Sequence, residues 1–169
     1  MLKYYVMVGA FFCVASWLPS AKANQDLCPK GYMLGAFKLA CLRFSNDELG
    51  WNDAVMACRA THDSLLVLDT IKDIVGFRTL RAQFYEWRKV PVWLGGKNYD
   101  GIWRWGSGSK IGMPILLSNY KRGRPRFQLD KNHPKLVCLQ QLGFPDLTWA
   151  EDYCSTKKRY MCERPISKY

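Results

Sequence analysis

Val92-Trp93-Leu94-Gly95-Gly96 is the stretch on which the fold turns. Its β-favouring apolar residues followed by paired glycines read as a short buried strand, Val92–Gly95, running into a turn. A second short strand, Ile102-Trp103-Arg104-Trp105, follows within a few residues. Upstream, Trp51, Ala54, Val55 and Cys58 recur at i, i+3, i+4 and i+7, one stripe of an amphipathic helix reaching about Thr61. Ser64–Asp69 reads as a buried strand. Thr70 is placed to cap a second helix whose inner side carries Ile74, Phe77, Leu80, Arg81 and Phe84.

At the amino-terminal side, Cys28–Phe44 reads as a hairpin around Gly35 with a cysteine in each arm. Downstream of Trp105, residues 106–134 are rich in glycine, proline and basic side chains and lack periodicity. They are expected to form one long ordered loop. Strand patterns resume at Leu136–Leu142, Leu147–Ala150 and Arg159–Glu163. No internal repeat or linker divides this order, so a single α+β domain is expected.

The composition supports a packed domain. Of 169 residues, 49% are hydrophobic, 14% aromatic and 23% charged, which excludes a disordered chain. The first residues have the pattern of a secretory leader: Lys3, the uncharged run Tyr4–Leu18, a break at Pro19-Ser20, and Ala21-Lys22-Ala23 as a cleavage site. The run is too short to span a bilayer, and no later stretch is apolar enough to do so. Residues 1–23 are therefore expected to be a signal peptide, and 24–169 a secreted, extracellular domain.

Cleavage would remove Cys13 and leave six cysteines: Cys28, Cys41, Cys58, Cys138, Cys154 and Cys162. An even set in an oxidising compartment implies three disulfides and no free thiol. No CxxC is present, and His62 and His133 lie far from any cysteine pair, so a zinc site is not expected. The whole chain carries +11, unevenly: residues 24–86 sum to −1 and residues 87–169 to +10. A neutral scaffold followed by a basic half points to one charged face or loop.

Hairpin, two helices, Trp-Leu-Gly-Gly strand, long loop and late cysteines, taken together, resemble a C-type lectin-like domain across residues 28–164. The resemblance rests on Cys28-Pro29-x-Gly31-Tyr32, Trp51-x-x-Ala54-x-x-x-Cys58, Trp93-Leu94-Gly95-Gly96, Trp103-x-Trp105, Cys138-Leu139, Trp149, and Cys154-x7-Cys162-Glu163. It implies the long form of that fold: two helices, small antiparallel sheets, a long loop and three disulfides. The pairings it implies are Cys28–Cys41, Cys58–Cys162 and Cys138–Cys154. The second of these closes the longest loop and would contribute roughly 4–5 kcal/mol in the chain-entropy account.

Sugar-binding members of the family hold Ca²⁺ in the long loop through a Glu-Pro-Asn or Gln-Pro-Asp triplet and an Asn-Asp pair after the late tryptophan. In this chain the triplet position reads Arg124-Pro125-Arg126, and Ala150-Glu151 follows Trp149. Calcium takes six to eight oxygen ligands, and two guanidinium groups would repel it. Asp130, Asn132 or Asp152 could each offer an oxygen, yet the resemblance implies a degenerate calcium site, no metal and no cofactor.

Basic side chains crowd the loop instead: Lys121, Arg122, Arg124, Arg126, Lys131 and Lys135, with Asp130 opposing them and Tyr120 and Phe127 among them. Arginine forks suit sulfate, phosphate and carboxylate. Lys121, Arg122, Arg124, Arg126 and Glu151 are therefore the candidate ligand-binding residues. The expected partner is an anionic glycan or an acidic protein surface; a solvated basic loop that serves only solubility is the plain alternative, and a protein- or mineral-matrix-binding module without sugar recognition is the other.

No catalytic constellation is legible. His62 sits at a helix end, where capping is the ordinary role. His133 has no nucleophile placed beside it. Glu151-Asp152 would point to opposite faces of a strand, poor geometry for shared acid–base work. No GxGxxG, GxxxxGK[ST], HExxH or GxSxG occurs. An enzyme and a nucleic-acid-binding protein are both disfavoured.

Overall fold

A computed structural model describes residues 27–99, 101–117, 119–125 and 137–166. The expected leader, residues 1–23, lies outside them, as do Arg126, Asp130, Lys131, Asn132, His133 and Lys135.

The chain opens with β1 (Met33–Leu34) and β2 (Ala40–Phe44), an antiparallel hairpin clipped by Cys28–Cys41. Helix α1 (Trp51–Arg59) buries Trp51, Ala54, Val55 and Cys58, the stripe expected from their spacing. It stops two residues short of the expected end. Trp51 Nε1 donates to the Leu94 carbonyl at 2.8 Å, and Cys58 is bonded to Cys162, so both ends of the stripe are tied to strands.

After β3 (Ser64–Leu65), helix α2 (Ile71–Gln83) begins at Thr70. Thr70 Oγ1 accepts from the Asp73 N–H while Asp73 accepts from the Thr70 N–H, a reciprocal capping box. Ile74, Phe77 and Arg81 are buried and Leu80 is partly so, but Phe84 has left the helix and is exposed. A third helix, α3 (Tyr85–Arg88), was not expected. Four residues are too few to show a 3.6-residue period, and its position is set by Trp87 packing against Phe44.

The remaining strands are β4 (Val92–Tyr99), β5 (Ile102–Trp105), β6 (Val137–Gln141), β7 (Trp149–Tyr153) and β8 (Arg159–Pro165). They join in the order β1-β2-β8-β4-β6-β7, with β3 on β8 and β5 on β4. The expected small antiparallel sheets are thus linked, and the link is a parallel pairing of β4 with β8. The strand runs on past its expected end at Gly95, so that Gly96, which the sequence suggested as the start of a turn, lies inside β4. A Cβ on Gly96 would come within 2.8 Å of Leu139 and Ile115 side-chain carbons, so close packing of β4 on β6 and the loop requires a glycine there.

Two further expectations shift. The last segment before the final cysteines forms a strand over 149–153, not 147–150, because Leu147 has φ 45° and belongs to the preceding turn. The register change carries Glu151 to the middle of β7, opposite Leu139. Within 106–134, the described part is ordered loop with one 3₁₀ turn, Gly108–Lys110, and isolated bridges Arg104–Pro114 and Tyr120–Trp149. The three disulfides follow the pairing that the resemblance implied: Cys28–Cys41, Cys58–Cys162 and Cys138–Cys154.

Candidate functional site

β7 is the floor of the candidate site. It pairs antiparallel with β6 over its full length, and Cys138–Cys154 ties β6 to the residue that follows β7. The loop segment 119–125 is laid against its other edge. Trp149 N–H donates to the Asn119 carbonyl at 2.7 Å, and Lys121 N–H donates to the Trp149 carbonyl at 2.8 Å. Below this backbone bridge Tyr120 packs edge-on against Trp149 at 5.8 Å between ring centroids and lies 6.1 Å from Trp103. Burial, with the nearby Glu151 charge, pushes the Tyr120 phenol well above its usual range, so it stays neutral.

From that anchor the chain turns. Arg124 N–H donates to the Lys121 carbonyl at 2.9 Å, Gly123 takes φ 77°, and the Arg124–Pro125 bond is cis. The turn sends its cations in different directions. Arg124 Nη1 lies 2.5 Å from Glu151 Oε1, whose side chain is only 7% exposed. Lys121 pairs with Asp146 at 2.9 Å, both exposed. Arg122 is exposed and has no ion-pair or hydrogen-bond partner among the described residues. Lys121, Arg122, Gly123 and Arg124 line one side of a concavity of about 340 Å³, and Gln140, Leu142, Ala150 and Glu151 line the other.

Four of the five sequence-derived candidates therefore meet: Lys121, Arg122, Arg124 and Glu151. Arg126 lies outside the described residues. Sequence reasoning missed Gln140 and Asp146. Gln140 Nε2 donates to the Glu151 carbonyl at 3.3 Å, and nothing in a β-strand pattern marks a glutamine for that role. Asp146 is linked to Lys121 across 25 residues, a spacing with no local signature.

The described residues of the site do not fit the calcium ion that the fold suggests. A guanidinium from the triplet position already bonds the Glu151 carboxylate, Ala150 offers no side-chain oxygen, and Asp152 is turned to Lys158 at 2.7 Å. Among the described residues no group of three or more His, Cys, Asp or Glu is gathered in metal-binding geometry. The opposed partners of Glu151 and Asp152 also show that adjacent residues on this strand serve separate cations. His62 has φ 59° and lies beyond the helix end, its N–H donating to the Arg59 carbonyl.

Other charged groups serve the scaffold. Asp63, with its side chain fully enclosed, accepts from Tyr32 Oη, from Thr61 Oγ1 at 2.6 Å and from Arg164 Nε at 2.7 Å, with Arg43 at 3.7 Å. Burial alone would raise its pKa; these hydrogen bonds and the Arg164 charge outweigh that and hold it below the usual carboxylate range. Glu163 bonds Lys38 at 2.6 Å, yet burial keeps its carboxyl above the usual range. Lys158, which belongs to a basic cluster in sequence, is buried under the Trp93 ring.

These features define the C-type lectin-like fold: the hairpin, the two-helix scaffold, the β4 strand with its paired glycines, the three disulfides and the loop seated on the strand after the late tryptophan. No protein-family model matches the chain. Among curated proteins it is similar to hepatic lectin of Gallus gallus, 26% identical over 137 residues that cover 78% of this chain and 58% of that protein. The chain thus spans little more than half the length of that relative. Among solved structures it resembles the Ca²⁺-independent C-type lectin SPL-2 from Saxidomus purpuratus, with a TM-score of 0.64 and 23% identity, covering 86% of this chain and 99% of that one. A calcium-independent type II antifreeze protein superposes as well, with a TM-score of 0.64 and 18% identity, covering 83% and 95%.

Proposed function

We propose that this protein is a secreted, non-enzymatic binding protein that recognises anionic glycans, or other anionic surface ligands, without calcium through its basic loop. The observation that carries this reading is Arg122: an exposed guanidinium without a protein partner among the described residues, at the rim of the 340 Å³ concavity on β7. Its flanking cations are engaged, Lys121 with Asp146 and Arg124 with Glu151. A fork-shaped donor set that no group among the described residues neutralises suits sulfate or carboxylate groups. The likeness to a calcium-independent lectin supports the reading, and the +10 of residues 87–169 supports the sign of the ligand.

The leader pattern of residues 1–23 supports secretion, and no helix among the described residues is long and apolar enough to cross a membrane. The second reading, a protein- or mineral-matrix-binding module without sugar recognition, is favoured by the likeness to an antifreeze protein of the same fold.

The test is retention on immobilised heparin and on neutral-glycan and acidic-glycan arrays, each in calcium and again in chelator. Binding confined to sulfated or uronic-acid glycans, equal in both buffers and weakened by salt, is the expected result. Arg122→Ser with Arg126→Ser should remove most of it. The matched control is Lys30→Ser with Lys157→Ser, which removes the same charge from exposed positions elsewhere. Equal losses in the two double variants would reduce the attraction to net charge.

A further inference from the structure

Glu151 is a carboxylate at the centre of a paired strand with almost no exposed side-chain surface. A buried carboxylate is costly unless a cation and hydrogen bonds compensate it. Arg124 supplies such a cation from 27 residues away in sequence. The backbone bridge between loop and strand stops at Lys121 and Trp149. The Arg124–Glu151 contact lies two residues further along β7, where it continues the attachment by side chains alone. Between these ties stands the turn that carries Arg122.

We propose that Arg124 is the positioning cation of this site: its guanidinium clamps Glu151 and pins the 121–124 turn on β7, so that Arg122 is presented to an anionic group in one orientation without a metal ion. Arg124 is then not itself a ligand-binding residue, although its sequence position suggested that role. The inference rests on the anionic-ligand reading for its binding consequence, while the clamp rests on the geometry alone.

The clamp and simple electrostatics predict opposite signs. Glu151→Gln removes a negative charge from the basic surface. If charge alone governed binding, a polyanion would bind this variant more tightly. If Arg124 positions the turn through Glu151, the variant binds more weakly despite its extra positive charge, because preorganisation is lost.

The experiment uses the mature chain as wild type, Glu151→Gln, Arg124→Gln, and the reversed pair Arg124→Glu with Glu151→Arg, each titrated with a heparin octasaccharide. Amide exchange of Lys121 and Trp149 is followed in parallel. Both single variants are expected to bind about tenfold more weakly and to exchange these two amides about tenfold faster or more, as local opening becomes easier. The reversed pair, of unchanged net charge, is expected to recover most of both. Tighter octasaccharide binding by Glu151→Gln with unchanged exchange would overturn the proposal. So would a reversed pair no better than the single variants. If no form of the protein binds the octasaccharide while exchange still follows the clamp, the anionic-ligand reading falls and the positioning role falls with it, leaving the clamp as a structural contact.

Discussion

The scaffold and the basic loop use the same ionic chemistry with different degrees of enclosure. In the scaffold, Arg81 is fully buried and donates to the Gln141 side chain at 2.9 Å and to the carbonyls of Leu142, Trp87 and Val90. None of those acceptors is a carboxylate, and burial lowers the Arg81 pKa to about 10. Asp63 is likewise surrounded, by Tyr32, Thr61, Arg43 and Arg164. In the loop, Arg124 has one ion pair, Lys121 has one at the surface, and Arg122 has none among the described residues. Enclosure thus separates the charges committed to folding from those left at the surface. A group with four or five partners is committed to the fold, whereas the Arg122 donors are used by no group among the described residues.

The largest loss of stability is expected from Arg81→Met. It keeps much of the side-chain volume but strands the carbonyls of Trp87 on α3, of Val90 after it and of Leu142 just past β6, and should cost about 4 kcal/mol. In a domain of this size that is a fall in melting temperature of roughly 10 °C or more by calorimetry. A loss of only a degree or two would show that water satisfies those carbonyls and that the scaffold is less enclosed than described.

Asp63→Asn should follow at about 3 kcal/mol, because Arg164 and Arg43 lose their counter-charge at an enclosed site. The same residue gives a pH test with a definite sign. Its folded-state pKa lies below its unfolded value, so its stabilisation is present above about pH 4 and is lost as pH falls through the lower, folded-state value. Glu163 acts in the opposite sense: its raised pKa favours the fold when protonated, a gain lost as pH rises through that value. Wild-type stability should therefore drop on acidification below pH 4, and Asp63→Asn should flatten that drop. An unchanged acid limb would show that Asp63 does not set the acid sensitivity of the fold.

Smaller effects are expected in the loop. Glu151→Gln should cost about 1–2 kcal/mol, less than the scaffold changes, because Arg124 can turn to water. Millimolar calcium should leave the wild-type melting temperature unchanged, whereas a native-state ligand at a hundred times its Kd would add about 2.7 kcal/mol. A calcium-dependent rise abolished by chelator would place a metal site elsewhere in the loop. Lys121→Ala should change stability by no more than about 0.5 kcal/mol, since its pair with Asp146 is exposed on both sides. A larger loss would mean that the surface pair, not the Arg124 clamp, holds the turn.

Sequence patterns were informative wherever one short-range rule governs. The α1 stripe, the Thr70 capping site and the even cysteine set each depend on spacing within one element or on parity, and each reappears in the structure. The order of motifs from Cys28 to Glu163 carried the fold through resemblance, and the same resemblance supplied the disulfide pairing. It also marked Arg124, Ala150 and Glu151 as the residues standing where calcium ligands would be expected.

Which neighbours those residues meet is set by long-range packing. Whether Arg124 faces solvent or a carboxylate depends on β7 beginning at Trp149, which in turn depends on Leu147 turning the chain at φ 45°. A one- or two-residue shift in a strand is invisible to composition, yet it sets which face and which neighbour each side chain meets. The pairs Arg124–Glu151 and Lys121–Asp146 join residues 27 and 25 positions apart. Charge counting sees those cations as one basic run. Burial and distance divide them into an exposed pair, a half-enclosed clamp and an unneutralised Arg122, because the energy of a charge is governed by what encloses it and not by its place in the chain.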